Sequence, residues 1–400
     1  MPLLSAVNQD GNLVLLTRRF SRRELQALKE TDKFYCRDCR EPLVLKIGTK
    51  ITPHFAHHSR SQCSAYSEPE SEMHLLGKKD LYRWLTGQGL DVSIEHYLPP
   101  IQQRADLLVR KYGQLFAIEY QCSPIPPAQL LKRSKGYKSQ HIIPVWILGG
   151  LPFRKTHQGH YICSEFQLSF LHHARKEDFY LFSYQPFSKR ICILSHLIPA
   201  STVKFHARYE EKPLTAFHFP FTDIQFHIDQ AALSLPDWLE ARRKWIEAKL
   251  QYGKTFQDPF LRRVYESGHH PLLLPPVIGL PLVKMALCRQ HPAEWQFYYW
   301  LAVLKNFPQH EWLALDEMMA RFSQRIRKNE IQLRESPFIY EKEVRRLMLY
   351  EYTQMLIGLG YMKGNGAGKY TVHKKISFPK NREELESMEQ NLCLRWPPIR

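Results

Sequence analysis

Asp106 and Glu119 are the residues of this 400-residue chain whose types and placement offer the most chemistry. They flank Tyr112-Gly113 in the stretch from Arg104 to Gln121, which alternates as two short strands joined at that pair. A turn centred there sets Asp106 opposite Glu119. Asp106, Leu108 and Arg110 share one face, and Ala117, Glu119 and Gln121 share the coinciding face of the partner strand. Opposed β-carbons lie roughly 4.5–5.5 Å apart, and like charges so placed destabilise a sheet. A divalent cation would offset the repulsion: Mg²⁺, or Mn²⁺ in its place, takes oxygen ligands from one or two carboxylates and keeps positions open for phosphate. The plainer reading is a hairpin face open to solvent, since a one-residue slip of register would send the two acids to opposite faces.

A second set of ligating side chains precedes them. Cys36 and Cys39 form a C-x-x-C pair, and His54, His57 and Cys63 follow within thirty residues. Structural zinc takes four Cys or His ligands in a tetrahedron, commonly two of them from such a knuckle. Cys36, Cys39, His57 and Cys63 are the expected Zn²⁺ set. His54 is the alternative ligand; a reduced surface C-x-x-C beside histidines packed on aromatic rings is the other reading.

The elements that must position these groups can be read in order. Residues 1–17 form a hairpin around Asn8-Gln-Asp-Gly11, and Ser21 to Glu24 is spaced as a capping box for a helix through about Lys29. Ser67 to Glu70 is spaced the same way, which predicts a helix from there to about Leu85, ended by Gly87 and Gly89. Glu72 lies in its first turn, where acids usually just complement the helix dipole. A strand at 90–97, the two strands of the hairpin, a basic helix at about 128–139 carrying Lys132 and Arg133, and an apolar strand at 141–148 complete the series. From 68 to 149 the order is α-β-β-β-α-β.

Composition narrows the partners. A hydrophobic content of 44% is that of a globular protein, and the length favours more than one domain. No run of about 18 apolar residues and no leader-like start is present, so a cytoplasmic location and no membrane partner are expected. The formal net charge is +17, and residues beyond 150 carry more than half of it. Such an excess points to a polyanionic partner, nucleic acid before membrane because no basic amphipathic anchor or lipidation motif stands out. With eight cysteines and only one C-x-x-C pair, metal binding is a better use for that pair than a disulfide framework.

The α-β-β-β-α-β order, with Asp at the start of the second strand and Glu-x-Gln closing the third, resembles the core of restriction-endonuclease-like nucleases, the PD-(D/E)XK group. Cys36-x-x-Cys39, His54-Phe-Ala-His57, Glu72-x-His74, Gln103-Arg-Ala-Asp106, Glu119-Tyr-Gln-Cys-Ser123, and Tyr137 before Val145-Trp-Ile-Leu148 together resemble the competence protein CoiA family. The likeness is good over about residues 1–150 and loose beyond. It implies a zinc-finger-like module at 1–66 and a nuclease-like domain at 67–150; with the residue pattern beyond, a mixed β-rich connecting region at 151–233 and a mostly helical region at 234–400, the expected chain is an α+β and α/β multidomain protein.

The same resemblance implies that Asp106 and Glu119 bind catalytic Mg²⁺, with Glu72 approaching from the first helix as a further carboxylate or water-positioning group. Gln121 stands where that nuclease group usually has lysine. Its role would pass to Lys78, Arg104 or Arg133, and Arg104 comes first because the register sets it opposite Gln121. Lys78, Lys132 and Arg133 are the expected nucleic-acid contacts. The implied function is processing of incoming DNA in transformation, at the recombination stage, on single strands or recombination intermediates and with recombinase machinery as a partner. The alternative is a non-catalytic DNA-binding or recombinase-partner adaptor on a degenerate nuclease fold.

Beyond 150 no catalytic spacing stands out, and the His172-His173 pair reads as packed or surface histidines. Trp238, Leu239, Trp245, Ile246 and Leu250 form an apolar stripe, with Arg242, Arg243, Lys244 and Lys249 expected opposite it. Helices are expected at 293–306, 311–328 and 337–357. The Gly-rich hairpin of 360–375 with basic flanks could be the wing of a winged-helix-like DNA binder. Tyrosines and arginines through 321–352 could stack on bases, although such stripes are more often helix core.

Overall fold

The computed structural model describes residues 2–18, 20–48, 51–58, 63, 71–150, 153–173, 179–221, 234–253, 257–307, 311–339 and 341–396. They divide into two compact units. The first holds residues 1–153, 181–194 and 209–226, and the second holds 154–180, 195–208 and 227–400. Among the described residues, no helix is long and apolar enough to cross a membrane.

The first unit opens with β1 (Pro2–Leu3), β2 (Ser5–Asn8), β3 (Leu13–Leu15), α1 (Arg22–Thr31), β4 (Phe34–Tyr35), β5 (Pro42–Lys46) and β6 (His54–His57). The strands form one sheet in the order β1-β6-β5-β4-β2-β3. The side chain of Asn8 closes the β2–β3 turn by accepting from the Asp10 and Asn12 amides. Ser21 and Glu24 make the expected reciprocal cap on α1.

Next come α2 (Glu72–Thr86), β7 (Asp91–Leu98), β8 (Gln103–Lys111), β9 (Gln114–Gln121), α3 (Pro127–Ser139) and β10 (Ile143–Gly149), the α-β-β-β-α-β order that the sequence implies. The cap of α2 is Ser71, which accepts from the His74 amide. The expected cap at Ser67 to Glu70 lies outside the described residues. Strands β7, β8 and β9 are antiparallel, and β10 runs parallel to β9. Tyr112 and Gly113 both have positive φ, 49° and 78°, which makes the two-residue turn that fixes the β8–β9 register. Gly77 lets α2 lie against the ring of Tyr120, since a β-carbon there would sit 2.0 Å from Tyr120 Cε1.

The chain continues through β11 (Arg154–Lys155), β12 (Tyr161–Ile162), α4 (Glu165–Leu168), β13 (His172–His173), β14 (Phe179–Gln185), β15 (Arg190–Pro199) and β16 (Lys204–Pro213). In the first unit β14 pairs parallel to β10, Leu148 with Ser183. In the second, β12 pairs with β16, Tyr161 with Phe205. His172 packs between the rings of Tyr180 and Phe338, as expected of a packed histidine.

The rest of the second unit is mostly helical: α5 (Leu235–Tyr252), α6 (Pro259–Glu266), α7 (Pro292–Tyr299) with a wider π turn at Trp300–Leu304, β17 (Leu313–Ala314), α8 (Leu315–Arg327), α9 (Glu341–Gly358), β18 (Met362–Gly364), β19 (Lys369–Val372) and α10 (Arg382–Arg395). Helix α8 starts later than the sequence predicts because residues 313–314 pair with β19. One expectation for α5 is corrected. Arg242 is not on the outer face but 2% exposed, donating to the carbonyls of Leu274, Pro275 and Ile278. Residue 242 is four positions from both Trp238 and Ile246, so helical spacing puts it on their buried stripe.

Candidate functional site

Cys36, Cys39, His57 and Cys63 lie together, with one ligand atom from each within 4.8 Å of all the others. A tight turn builds the knuckle: the Cys36 amide donates to Glu41 O, Arg40 N donates to Cys36 O, and Arg40 takes a φ of 60°. Strand β6 supplies His57, whose Nε2 is 3.3 Å from Cys39 Sγ. Burial, with the thiols of Cys63 and Cys36 alongside, pushes Cys39 up to about 12, and burial lowers His57. Three thiols crowded beside a neutral imidazole suit a soft cation, so this cluster could bind zinc. His54 turns away, its Nδ1 2.9 Å from Thr52 O.

The second site lies where three strands meet. The β7–β8 and β8–β9 registers place Glu95, Asp106 and Glu119 in one row; the β7–β8 pairing skips Glu95 and Asp106, and the β8–β9 pairing ends just before the row, at Leu107 and Ile118. Glu95 has a φ of 51°, and the Tyr120 amide donates to Asp106 Oδ2 at 2.9 Å. Asp106 Oδ2 also meets His74 Nε2 at 3.1 Å. Lys78, wholly buried on α2, sits 2.8 Å from Glu95 Oε1 and 4.0 Å from Asp106 Oδ1. Burial would raise Asp106, but the charge and hydrogen bond of His74, the Lys78 ammonium and the Tyr120 amide together hold it well below the usual carboxylate range.

Glu119 is held from the other side. Arg133 Nη2 and the Tyr137 hydroxyl, both on α3, donate to its Oε1. Burial, reinforced by the charge of Asp106, raises Glu119 against the pull of Arg133 and Tyr137. The two acids of the row therefore differ: Asp106 is firmly ionised, whereas Glu119 takes up a proton more readily than an ordinary glutamate.

The remaining expected site residues are dispersed. Glu72 begins α2 half-buried, with no hydrogen bond or ion pair among the described residues, and His74 is the side chain of that turn that reaches Asp106. Gln121 donates to Ser123 O at 2.8 Å in the following turn. Arg104 holds Asp38 of the C-x-x-C knuckle, so its side chain leaves the place opposite Gln121 that the register gives it. Lys132 is exposed on α3, whereas Lys78 and Arg133, expected on nucleic acid, are engaged with the acids of the row. Among the described residues the Cys/His cluster is the one grouping of three or more ligating side chains close enough to share an ion.

Glu95 carries no signal of its own in the sequence beyond its place opposite Asp106. Its carboxylate accepts from the amides of Leu4 and Ser5 and from the Ser5 hydroxyl, as well as from Lys78. It is thereby saturated, and its work is to hold Lys78.

The fold and the acidic row place residues 70–224 in a nuclease-like class: they match the model of the competence protein CoiA nuclease-like domain. Residues 17–66 match the N-terminal domain of the same protein family, and residues 233–385 match its C-terminal domain. The competence protein CoiA of Bacillus subtilis (strain 168) is 29% identical over 270 residues, 67% of this chain and 71% of that protein. The chain belongs to the competence protein CoiA family. No solved structure matches it.

Proposed function

We propose that the chain processes DNA entering the cell during transformation, hydrolysing phosphodiester bonds at a divalent-cation centre on Asp106 and Glu119. The observation that carries this is the interrupted row, where the half-buried Asp106 and the buried Glu119 from adjacent strands are ringed by His74, Lys78 and Arg133. A bound Mg²⁺ or Mn²⁺ would activate water and stabilise charge on the phosphate oxygens. Asp106, kept ionised, and Glu119 would hold that ion, Arg133 and Tyr137 both bonding to Glu119 Oε1. Lys78 supplies the cation that Gln121 cannot, placed beside Asp106 from the helix rather than from β9. Arg133 is close enough to the acids to meet an incoming phosphate once Glu119 turns to the metal. The Cys/His cluster holds zinc in a structural role, and recombination intermediates with recombinase machinery are the setting in which the activity operates.

A single experiment separates this from the adaptor reading. Labelled single- and double-stranded DNA is incubated with purified protein and Mg²⁺ or Mn²⁺, beside Asp106→Ala and Glu119→Ala. Cleavage that falls on the order of 100-fold or more in each variant is expected. Absence of cutting on every substrate, or variants that cut like the parent, overturns the catalytic reading. The adaptor reading is favoured by one feature, that the acids are already satisfied by His74, Arg133 and Tyr137. It predicts salt-sensitive DNA binding that survives loss of both acids.

A further inference from the structure

In the second unit, α7 with its π turn, β17, α8, α9 and the β18–β19 hairpin follow one another in the order α-β-α-α-β-β. The three strands form a sheet in the order β17-β19-β18, with Leu313 opposite Tyr370 and Met362 opposite Val372. Helix α9 packs through Val344, Met348, Leu349, Tyr352 and Leu356, all buried. Arg345 Nη1 donates to Ser323 Oγ on α8 at 2.7 Å, which fixes the two helices against each other.

The opposite face of α9 is covered by nothing among the described residues. Lys342, Arg346, Tyr350 and Gln354 are exposed at four-residue spacing, so they form one stripe along the helix, with the exposed Glu343 of the first turn on the same face. Gln354 Nε2 lies 3.5 Å from the Tyr370 hydroxyl on β19, so the stripe runs up to the hairpin. The hairpin extends it with exposed Lys363 and Lys369, and Lys375 follows just beyond. The tip between its strands is thin: Asn365 accepts from the amides of Ala367 and Lys369, and the exposed Gly366 and Gly368 take positive φ, where a β-carbon would meet no atom within 4 Å. Glu351, the acid beside Tyr350, is turned elsewhere and spent on the amides of Val283 and Lys284.

We infer that α9 and the β18–β19 hairpin form a winged-helix surface for duplex DNA. The exposed stripe of α9 enters the major groove, and the glycine-tipped hairpin with Lys363, Lys369 and Lys375 lies on the adjoining phosphates. A helix fits the major groove of about 12 Å, and in a helix-turn-helix arrangement the second helix reads it while the flanking segments meet the backbone. Lys342 and Arg346 with the hairpin's Lys363, Lys369 and Lys375 outnumber Glu343, the acid of that face, and supply the complement to a polyanion. This surface stands on its own residues, independent of whether Asp106 and Glu119 cut.

The test uses the full chain in an Asp106→Ala background, so that binding is read without cleavage. Affinity for a 20–30 base-pair duplex, of roughly the length a bent or straight site spans, is measured by fluorescence anisotropy against salt. In R346A/K369A/K375A we expect at least a tenfold loss of duplex affinity and a salt slope smaller by roughly 0.9 for each phosphate no longer neutralised. Loss for a single strand of equal length should be under about threefold. A second triple variant, K244A/R262A/K305A, removes the same charge from exposed positions elsewhere in the unit and should bind nearly as the parent does. Unchanged duplex binding in the first variant overturns the inference, as does an equal loss in the second, which would mean bulk charge alone. An equal loss for single strands overturns the duplex assignment. Thermal unfolding at the parent temperature confirms that the variants are folded, because every substituted side chain is exposed.

Discussion

Lys78 is wholly buried with two carboxylates beside it, Glu95 at 2.8 Å and Asp106 at 4.0 Å. Removing one member of a buried ion pair leaves the other charge uncompensated, at a cost of about 3–5 kcal/mol. Lys78→Met should therefore lower the unfolding free energy by about 3 kcal/mol, less whatever the Leu4 and Ser5 amides recover for Glu95. Urea denaturation reads this, and a change below about 0.5 kcal/mol would show that the pair contributes little. The contrast with Asp106 and Glu119 explains what a sequence can reveal about this site. Alternation along two strands and a Tyr-Gly turn are local, so the opposition of those acids is legible. The third acid of the row is not, because what fixes Glu95 is a pair of amides some ninety residues earlier. For the same reason Arg104 reads as a partner for Gln121, whereas the fold brings Asp38 to it.

At the level of elements, two helices carry the clearest consequences. Helix α2 can approach the sheet only because residue 77 has no side chain; Gly77→Ala would drive a β-carbon into the Tyr120 ring. Overpacking of this kind costs about 1–3 kcal/mol, and Tyr120 adjoins the amide that binds Asp106, so thermal unfolding should fall while His74 and Asp106 are displaced. A Tm equal to the parent's would contradict the close approach. Helix α7 is capped by His291, 1% exposed, whose Nδ1 accepts from the Ala293 amide and whose ring stacks on Trp245 at 3.9 Å. Burial first, then the charges of Arg242 and Lys249, lower its imidazole well below the usual 6.5. The folded state thus binds this proton more weakly than the unfolded chain. Stability is full above the unfolded pKa of about 6.5 and is lost progressively as pH falls from there toward the lowered folded value. His291→Asn, which keeps a cap, should flatten the fall of Tm between about pH 7 and 5; an unchanged slope would assign the acid sensitivity to other groups. The helical positions of this region are legible from spacing. The strand at 313–314 is not, because its partner lies in β19.

Within the first unit, hydrogen bonds and an ion pair join the Cys/His cluster to the acidic row. The knuckle that presents Cys36 and Cys39 also sends Arg37 to the Ile94 carbonyl at 3.1 Å and Asp38 to Arg104, and the opening strands bind Glu95 through Leu4 and Ser5. Each of these links ends on β7 or β8, next to Asp106. A structural metal supplies folding free energy, so with zinc bound at the cluster its removal loosens the knuckle, and with it the Asp38–Arg104 pair and the Arg37 hydrogen bond. Chelation should therefore raise amide exchange first at residues 36–45 and 54–57, and then at 94–106, while β18 and β19 in the second unit keep their protection. Metal analysis of the purified protein should give about one equivalent of zinc. Exchange that rises only in the module would mean that the row is held by its own strands. Cys36→Ser or Cys39→Ser should reproduce the chelated pattern, whereas His54→Ala, outside the cluster, should not. A Cys variant that leaves 94–106 as protected as in the parent would break the link between the two sites, because Arg37 and Asp38 lie in the same turn that presents Cys36 and Cys39.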